Sequence, residues 1–445
     1  MTEFYPINLS MREQMLRQLS LSRTLDCDAL FANLYMWQPL FDYRYANVGG
    51  RCVIRSRMPE ASGGGGERHG FFLPGASTDD IASVLDVLTA AAGREPLRIV
   101  NLSSETAAAV ADRYGDGIAV DCNRAYSDYI YSREALETLH GRHYQPKRNH
   151  INRFRSLYDH TVAPLCRDDA AECMALAEQW REEHHTPQSA DAEMQVLRRA
   201  FDAFDELELH GIVLRVGARV AAFSFGSYTP DGRMFCVHAE KADTTFEGVY
   251  AMICNALVSS LDAACIYVNR EEDLGIEGLR RSKQSWQPVK MLDKYTAMPL
   301  DDSLRQIRRL WQEVFGDERE FVDSFLVRYY SPERCVVRRE QGRVVSMAHI
   351  VPIETAAGRT AYIYAVATDP AFRCRGLGRS VVEECMTRAR AAGFDAVALI
   401  PSEESLKSFY AALGFADEKM PVDFSSGFDL GTGEPERDIA MTARL

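Results

Sequence analysis

One short glycine-rich segment has residue types and a position that suit a phosphate-containing ligand. Residues 373–378 are Arg-Cys-Arg-Gly-Leu-Gly, and they stand between an apolar run at 362–367 and a helix-like run at 380–392. Gly376 and Gly378 have no side chain that would keep a ligand away from the backbone. The first N–H groups of a helix lack partners within the helix, and the helix dipole makes that end positive. The order strand, glycine turn, helix therefore predicts an anion site suited to a diphosphate.

The spacing of the arginine and the two glycines alone fits an anion site and a plain surface turn equally well. The flanking segments decide between these two interpretations. A second apolar strand follows at 396–400, and then a short helical segment at 402–413. Residues 373–378 resemble the Arg-x-x-Gly-x-Gly/Ala signature that binds the coenzyme A pyrophosphate in the GNAT N-acetyltransferase superfamily. Residues 410–415, Tyr-Ala-Ala-Leu-Gly-Phe, look like that family's second motif. The resemblance implies a GNAT fold for about 299–445, with acetyl-CoA as its cofactor.

The resemblance also implies where the cofactor lies. In the GNAT fold two neighbouring strands splay apart, and the pantetheine arm pairs with the exposed edge of one; here these strands would be 362–367 and 396–400. A backbone N–H beside the thioester would stabilise the charge that develops on the carbonyl oxygen. The implied cofactor-binding residues are Val366, Thr368, Arg373, Cys374, Arg375, Gly376, Leu377, Gly378, Arg379 and Ser405.

The implied reaction is direct attack of a neutral amine on acetyl-CoA. Tyr410 matches the family's tyrosine and is the expected proton donor to the departing thiolate; the alternative is a core aromatic residue at the end of a helix. The general base stays open, because His349, Glu354, Tyr362 and Tyr364 all lie near the predicted acceptor side. A lone histidine on an apolar strand is more typical of packing than of catalysis.

Length and composition limit the number of domains and the class of protein. With 445 residues the chain predicts about three domains, and its net charge of −13 argues against a general nucleic-acid binder. No apolar run approaches the ~20 residues that cross a bilayer, and the N-terminus lacks a signal pattern, so we expect a cytoplasmic protein. The eleven cysteines are scattered singly, without Cys/His spacing typical of zinc, so we expect neither a disulfide framework nor a metal site.

A second constellation lies before residue 298. Segments 141–154, 238–243, 269–275 and 279–283 resemble the phosphatidylglycerol lysyltransferase C-terminal-domain family. Members of that family contain two GNAT-like folds in tandem, and relatives move an aminoacyl group from a charged tRNA to a lipid or a cell-wall peptide. The implied architecture is α/β with mixed sheets: GNAT-like units at 1–125 and 126–297, then a complete acetyl-CoA-binding GNAT domain at 298–445.

Charged residues of these segments form a candidate second site. The cations that would hold phosphate groups are Arg142, Lys147, Arg148, Lys241, Arg270 and Lys283. The carboxylates that would recognise an ammonium group or act as a base are Glu271, Glu272 and Asp273. The structural alternative is a strand-ending turn whose acids pair with Arg270 or Arg280. Neither N-terminal unit has an Arg-x-x-Gly-x-Gly turn, so we expect no ordinary coenzyme A site there, and the missing transmembrane half argues against a lipid acceptor.

Three functions remain open. The first is acetyl-CoA-dependent N-acetylation of a primary amine by the C-terminal unit, whose acceptor is a small molecule, a peptide N-terminus or a lysine. The second is aminoacyl-tRNA-dependent transfer by residues 1–297, and the third is a non-catalytic recruiting platform there. The sequence does not predict the oligomeric state. A run of four glycines at 63–66 predicts the tip of a long hairpin.

Overall fold

The structure is a computed structural model that describes residues 2–21, 24–58, 68–184, 187–355, 357–417 and 440–445. It contains three mixed β-sheets with helices packed on them, which confirms the predicted α/β class. The predicted hairpin tip at 63–66 lies outside the described residues. No helix within the described ranges is long and apolar enough to cross a membrane.

The first unit is built on a seven-stranded sheet. Its first six strands are β1 (Tyr5–Pro6), β2 (Arg44–Val48), β3 (Arg51–Arg57), β4 (His69–Phe72), β5 (Ile99–Leu102) and β6 (Ile118–Cys122). Its helices are α1 (Arg12–Leu19), α2 (Phe31–Phe41), α3 (Thr78–Ala92) and α4 (Ser104–Tyr114). Strands β4 and β5 are parallel, with α3 as their crossover. A capping box begins α3, because Ser77 and Asp80 each accept a hydrogen bond from the other's backbone N–H.

The second unit is built on another seven-stranded sheet, in the order β13-β7-β12-β11-β10-β9-β8. The strands are β7 (Asp128–Ser132), β8 (His160–Pro164), β9 (His210–Val216), β10 (Arg219–Tyr228), β11 (Met234–Ala242), β12 (Tyr267–Asn269) and β13 (Lys290–Leu292). The helices are α5 (Arg133–Thr138), α6 (Gln145–Leu157), α7 (Ala170–His184), α8 (Pro187–Asp202), α9 (Val249–Ser260) and α10 (Glu277–Gln284).

The chain then returns to the first sheet. Strand β14 (Tyr295–Pro299) lies between β5 and β6 and is antiparallel to both. The first sheet therefore uses a strand that follows the whole second unit in sequence. The unit boundaries at 125 and 297 stay a prediction, and β14 is the segment that ties the two N-terminal units to each other.

The third unit has a six-stranded sheet in the order β15-β16-β17-β18-β20-β19. The strands are β15 (Cys335–Glu340), β16 (Arg343–Thr355), β17 (Gly358–Thr368), β18 (Ala396–Leu399), β19 (Ala416–Asp417) and β20 (Met441–Arg444). The helices are α11 (Asp302–Phe315), α12 (Arg319–Tyr329), α13 (Leu377–Ala391) and α14 (Lys407–Ala411). Helix α11 is amphipathic, and its apolar face, which includes Trp311, is buried on the sheet.

Helix α12 joins the third unit to the first. The helix packs on β6, and the last carbonyl groups of α12 accept hydrogen bonds from buried arginines of the first unit. The Arg98 guanidinium donates to Val327 O at 2.9 Å and to Tyr330 O at 2.8 Å. In the same interface Arg328 donates twice to the Asp121 carboxylate, at 2.7 and 2.8 Å. These bonds fix the third unit against the tandem.

Candidate functional site

In the third unit, strands β17 and β18 separate part of the way along their length. The parallel pairing runs from Thr360 and Ala396 to Tyr362 and Ala398, and β17 then continues to Thr368. On its other side β17 stays paired with β16 as far as Thr368. Within the described chain no second strand pairs with residues 363–368, so this edge of β17 is open to an extended ligand. The predicted splay is present.

A β-bulge lies within the splayed part of β17. The register passes from His349 opposite Tyr364 to Met347 opposite Ala367, so β17 has two residues where β16 has one. The two residues of β17 at the bulge are Ala365 and Val366; both are partly exposed, and Ala365 has φ +51°. A bulge turns backbone groups out of the ladder. In β17 the bulge turns backbone groups outward at the edge where an extended ligand would pair.

The glycine loop stands at the carboxyl end of β17. Cys374 and Gly376 have φ +61° and +76°, and Gly376 is the N-cap of α13 without a side-chain cap. No acceptor among the described residues takes the N–H groups that begin α13. A Cβ atom on Gly378 would lie 3.5 Å from Thr368 Oγ1, so the helix starts directly against the end of the strand.

The surface of this loop is cationic. Arg373, Arg375 and Arg379 are exposed there, with Leu377 and Gly378 half-buried beneath them. The Arg373 side chain makes one long bond to Thr368 O, at 3.4 Å, and Arg379 makes an exposed pair with Glu383 at 3.7 Å. Exposed pairs of this kind contribute little, so the guanidinium groups are available to an anion.

Helix α14 packs beside the start of α13. Tyr410 is buried in the core with Phe409 and Phe415, and burial raises the pKa of its hydroxyl to about 12. The hydroxyl is therefore a neutral hydrogen-bond donor at physiological pH. Ser405 lies on a 3₁₀ turn (Glu404–Leu406) one turn earlier, exposed and bonded to Glu403 at 3.1 Å.

The structure separates the open candidates for the general base. His349 is buried among Trp311, Phe325 and Tyr330, and burial lowers its pKa to about 3. Its Nε2 has no hydrogen-bond partner in the described part of the chain. Tyr364, opposite it on β17, is partly exposed at the bulge. The histidine thus packs as a neutral ring.

The second unit repeats the splay and the bulge. Strands β11 and β12 pair only from Met234 to Cys236, and β11 continues to Ala242. His238 is the extra residue in β11, because Val237 and Ala239 pair with the consecutive residues Gly226 and Phe225. The start of the following helix differs. A Cβ atom on Gly248, the N-cap of α9, would lie 2.3 Å from the carbonyl oxygen of His150. Helix α6 thus covers the position at which the third unit has its glycine loop.

Three of the predicted cations meet at the open end of this second splay. Arg270 follows β12 and pairs with Glu240 at 2.8 Å, and Lys283 donates to the Arg270 carbonyl at 2.6 Å. Lys147 lies 4.3 Å above the Trp286 ring and donates to Ser285 at 2.7 Å. Burial lowers the pKa of both lysines, so their ammonium groups gain from an anionic ligand.

Two polar atoms are unsatisfied in this group. Arg270 Nη1 and Glu240 Oε2 are buried without a hydrogen-bond partner in the described part of the chain. Buried polar groups are usually paired, so an unpaired guanidinium nitrogen beside an unpaired carboxylate oxygen indicates a ligand position. Arg270 was predicted as a site residue but Glu240 and Trp286 were not, because these two residues adjoin Arg270 only through the fold.

The other predicted residues of the second site have separate contacts. Lys241 is buried with Glu193 at 2.9 Å and with the Trp180 ring at 3.6 Å. Arg148 donates to the carbonyls of Leu139 and Gly141 and so caps α5, whereas the Arg142 guanidinium is exposed.

The three predicted carboxylates also differ from one another. Glu271 lies 3.1 Å from His238. Burial raises the pKa of Glu272 to about 8, although nearby Lys294 opposes that shift. Burial would also raise the pKa of Asp273, but bonds from Arg280 and Tyr129 outweigh it and hold that pKa at about 2. Asp273 thus pairs with Arg280, as expected if the segment is a structural turn at the end of a strand.

A buried charge cluster was missed by sequence reasoning. The Lys294 ammonium lies 2.8 Å from Asp28, 2.8 Å from Asp128 and 3.2 Å from Asp26. The cluster joins the segment before α2 to the start of the second unit. No local sequence signal predicts it, because Lys294 and Asp26 are far apart in the chain.

The solved structures similar to this chain include one of high coverage. A conserved protein of unknown function from Bacteroides thetaiotaomicron is 34% identical, with a TM-score of 0.62, over 67% of this chain and 100% of that chain. The C-terminal domain of a putative lysylphosphatidylglycerol synthetase from Agrobacterium fabrum is 14% identical, with a TM-score of 0.46, over 67% of this chain and 95% of that chain. Rv2747 from Mycobacterium tuberculosis, in complex with CoA and NLQ, is 20% identical, with a TM-score of 0.25, over 31% of this chain and 92% of that chain.

Among curated proteins no sequence matches. Two family descriptions match adjoining parts of the chain. "Phosphatidylglycerol lysyltransferase, C-terminal" covers residues 20–298, and "Acetyltransferase (GNAT) family" covers residues 304–415. The chain belongs to the phosphatidylglycerol lysyltransferase C-terminal family, and it carries a GNAT acetyltransferase domain fused after that region.

Proposed function

We propose that the third unit transfers an acetyl group from acetyl-CoA to a primary amine by direct attack. The observation that carries this proposal is the splayed, bulged edge of β17 beside the uncapped start of α13. A free strand edge suits a pantetheine arm, and unpartnered helix N–H groups suit a diphosphate. The two features adjoin at Thr368 and Gly378, which a single extended cofactor would span.

Each residue group has a role in this proposal. Bound acetyl-CoA supplies the activated acetyl group. The edge at Val366 and Thr368 pairs with the pantetheine amides, while the α13 N–H groups with Arg373, Arg375 and Arg379 hold the diphosphate. An N–H group of the bulge stabilises the developing charge on the carbonyl oxygen.

Helix α14 would complete the site. Tyr410, neutral because its pKa is about 12, donates a hydrogen bond or proton to the thiolate. Ser405 would orient the cofactor from the same side as Tyr410. The amine acceptor is a small molecule or a peptide.

The test is a calorimetric titration of acetyl-CoA into the full chain and into two matched variants. Gly378→Asp places a carboxylate at the second residue of α13. Gly278→Asp places the same group at the second residue of α10, where a Cβ atom meets nothing within 4 Å. We expect micromolar binding that is retained in Gly278→Asp and weakened at least about tenfold in Gly378→Asp, a loss of about 1.4 kcal/mol. Absence of binding to the folded wild-type chain, or equal binding by both variants, would refute the proposal.

A second candidate function rests on the second unit. The unpaired atoms of Arg270 and Glu240 lie near Lys147 and Lys283, where β11 and β12 separate. In this unit α6 covers the position that corresponds to the glycine loop of the third unit. A carboxylate suits the α-ammonium group of an aminoacyl ester, and the cations suit the adjacent nucleotide phosphates. This arrangement supports transfer from aminoacyl-tRNA to a peptide or lipid acceptor.

Binding of charged tRNA at several salt concentrations tests this candidate. We expect Lys147→Gln to weaken binding and to reduce the salt dependence by about one ion, whereas Lys407→Gln in the third unit changes neither. Salt-independent or undetectable binding would refute it. Capture of a protein partner without any transfer would favour a recruiting platform instead.

A further inference from the structure

Four metal-ligating side chains converge where the first unit meets the second. Cys27 comes from a 3₁₀ turn (Cys27–Ala29) before α2, Cys236 and His238 come from β11, and Glu271 follows β12. The sulfurs of Cys27 and Cys236 and a carboxylate oxygen of Glu271 all lie within 4.8 Å of one another. His238 Nδ1 lies 3.1 Å from Glu271 Oε1. None of these groups belongs to the proposed acetyl-CoA site.

Two of the ligand separations match those of a tetrahedral coordination shell. Zinc bonds of about 2.3 Å to sulfur and about 2.0 Å to nitrogen or oxygen place tetrahedral ligands roughly 3.3 Å (N to O) and roughly 3.5 Å (S to O) apart. The corresponding distances here are 3.1 Å for His238 Nδ1 to Glu271 Oε1 and 3.6 Å for Cys236 Sγ to Glu271 Oε1. The two sulfurs and the Glu271 carboxylate thus form the core of the site, and His238 adjoins it through Glu271.

Outer contacts hold these side chains in place. Ser227 Oγ lies 2.8 Å from His238 Nε2, which leaves Nδ1 to face the Glu271 carboxylate. Lys294 Nζ lies 3.4 Å from Cys27 Sγ, a position from which an ammonium group stabilises a thiolate. Ligand-orienting contacts of this kind accompany most metal sites.

The backbone at Glu271 gives an independent sign of a constrained site. This residue has φ +56°, and its N–H donates to Asn269 Oδ1 at 2.7 Å. Asn269 in turn donates to Asp128, which also accepts the Cys27 N–H at 3.2 Å. A non-glycine residue at positive φ is held there by its surroundings, and such residues cluster at binding sites.

We propose that Cys27, Cys236, His238 and Glu271 together bind one zinc ion that fastens the first unit to the second. Two thiolates, one carboxylate and a neutral imidazole give the complex one net negative charge, which faces the Lys294 ammonium. All four positions of the shell are protein ligands and both cysteines are buried, so the ion is structural and has no open position for a substrate. The proposal departs from the sequence-based expectation of no metal site, because Cys27 and Cys236 lie too far apart in the chain to form a zinc motif.

Metal analysis of the full chain, produced without a histidine tag in zinc-supplemented medium, tests the proposal. We expect about one zinc per chain by mass spectrometry of the metal content. The Cys27→Ser and Cys236→Ser variants should retain under about a tenth of that amount. Cys173→Ser is the matched control, because Cys173 is equally buried but lies in α7, away from the site. The control should keep its zinc, and a chelator should lower the Tm of the wild type and of the control alone.

Two further readouts protect the test against misfolding. Glu271→Gln keeps the shape of the side chain and should weaken zinc binding at least about tenfold. Cobalt in the wild-type chain should give a thiolate-to-metal charge-transfer band that Glu271→Gln alters. Wild-type protein without zinc, full zinc retention in both cysteine variants, or a Cys27–Cys236 disulfide found by peptide mass mapping would each overturn the proposal.

Discussion

Acid should destabilise the third unit through His349. The ring is 2% exposed and packs against Trp311 and Phe325, with centroid distances of 5.6 and 5.0 Å. Burial lowers its pKa from an ordinary 6.5 to about 3, because no carboxylate compensates the charged form. The folded chain therefore keeps this histidine neutral where the unfolded chain protonates it.

The sign and size of the effect follow from that difference. Between pH 6.5 and about 3 the unfolded state binds one more proton at His349, so the free energy of unfolding falls as the pH falls. Each pH unit corresponds to about 1.4 kcal/mol. The unfolded histidine is already half protonated at pH 6.5, so the wild type should lose about 2.3 kcal/mol at His349 between about pH 6.5 and about pH 4.5. Above the unfolded pKa this contribution to stability is fully present.

The assay compares His349→Phe with the wild type in urea unfolding at these two pH values, followed by tryptophan fluorescence. Phenylalanine fills the same aromatic site but does not titrate, so the difference in stability between variant and wild type should shift by about 2.3 kcal/mol in favour of the variant on acidification. His140→Phe, the same change at an exposed histidine, should show no comparable shift. A pH-independent difference for His349→Phe would refute the assignment. Confirmation would remove His349 from the candidates for a base that titrates near neutral pH.

Three shorter predictions concern the interface and the glycine loop. Arg98→Met should cost about 2 kcal/mol, measured by calorimetric unfolding, because the Tyr330 carbonyl loses its Arg98 donor and the Val327 carbonyl keeps only the bond from Arg68. Asp121→Asn should cost about 2 kcal/mol in the same measurement, since it leaves the Arg328 guanidinium half-paired; no change in Tm would contradict the interface geometry. Saturating acetyl-CoA should slow alkylation of the exposed Cys374 several-fold and leave the exposed Cys166 unprotected; equal rates would count against a cofactor in the loop.

Local pattern and motif predicted the elements of the third unit well. The strand at 362–367 lies within β17, and the following strand is β18. The predicted helix was placed three residues late, since α13 begins at Leu377. Glycine is a poor helix former, so Gly378 argued against a helix at this position. Glycine is nevertheless tolerated in the first turn of a helix, where the N–H groups have no partners within the helix.

Long-range contacts were not predictable from one sequence. Strand β14 completes a sheet whose neighbouring strand β6 ends at Cys122. Cys27 and Cys236 meet only because the turn before α2 packs near the start of β11. Hydrophobic periodicity reports on which face of an element is buried, but not on which distant element covers it. The predicted residues of the second site could therefore be sorted into ligand-binding candidates and structural ion pairs only once their partners in the fold were known.

The interface between the third and first units determines which form of the protein can be assayed. The buried Arg308 donates to Asp323 of α12 at 3.0 Å and to the Asp116 carbonyl at 2.6 Å, so it serves both units at once. Arg68 and Arg98 of the first unit donate hydrogen bonds to the last carbonyls of α12 and to the Tyr330 carbonyl that follows them. An isolated acetyltransferase unit would then expose unpaired polar groups on the helix that packs against its own β16 and β17 core, and so its failure to bind a cofactor would carry no information. The full chain is the smallest form in which a negative result at the glycine loop bears on function.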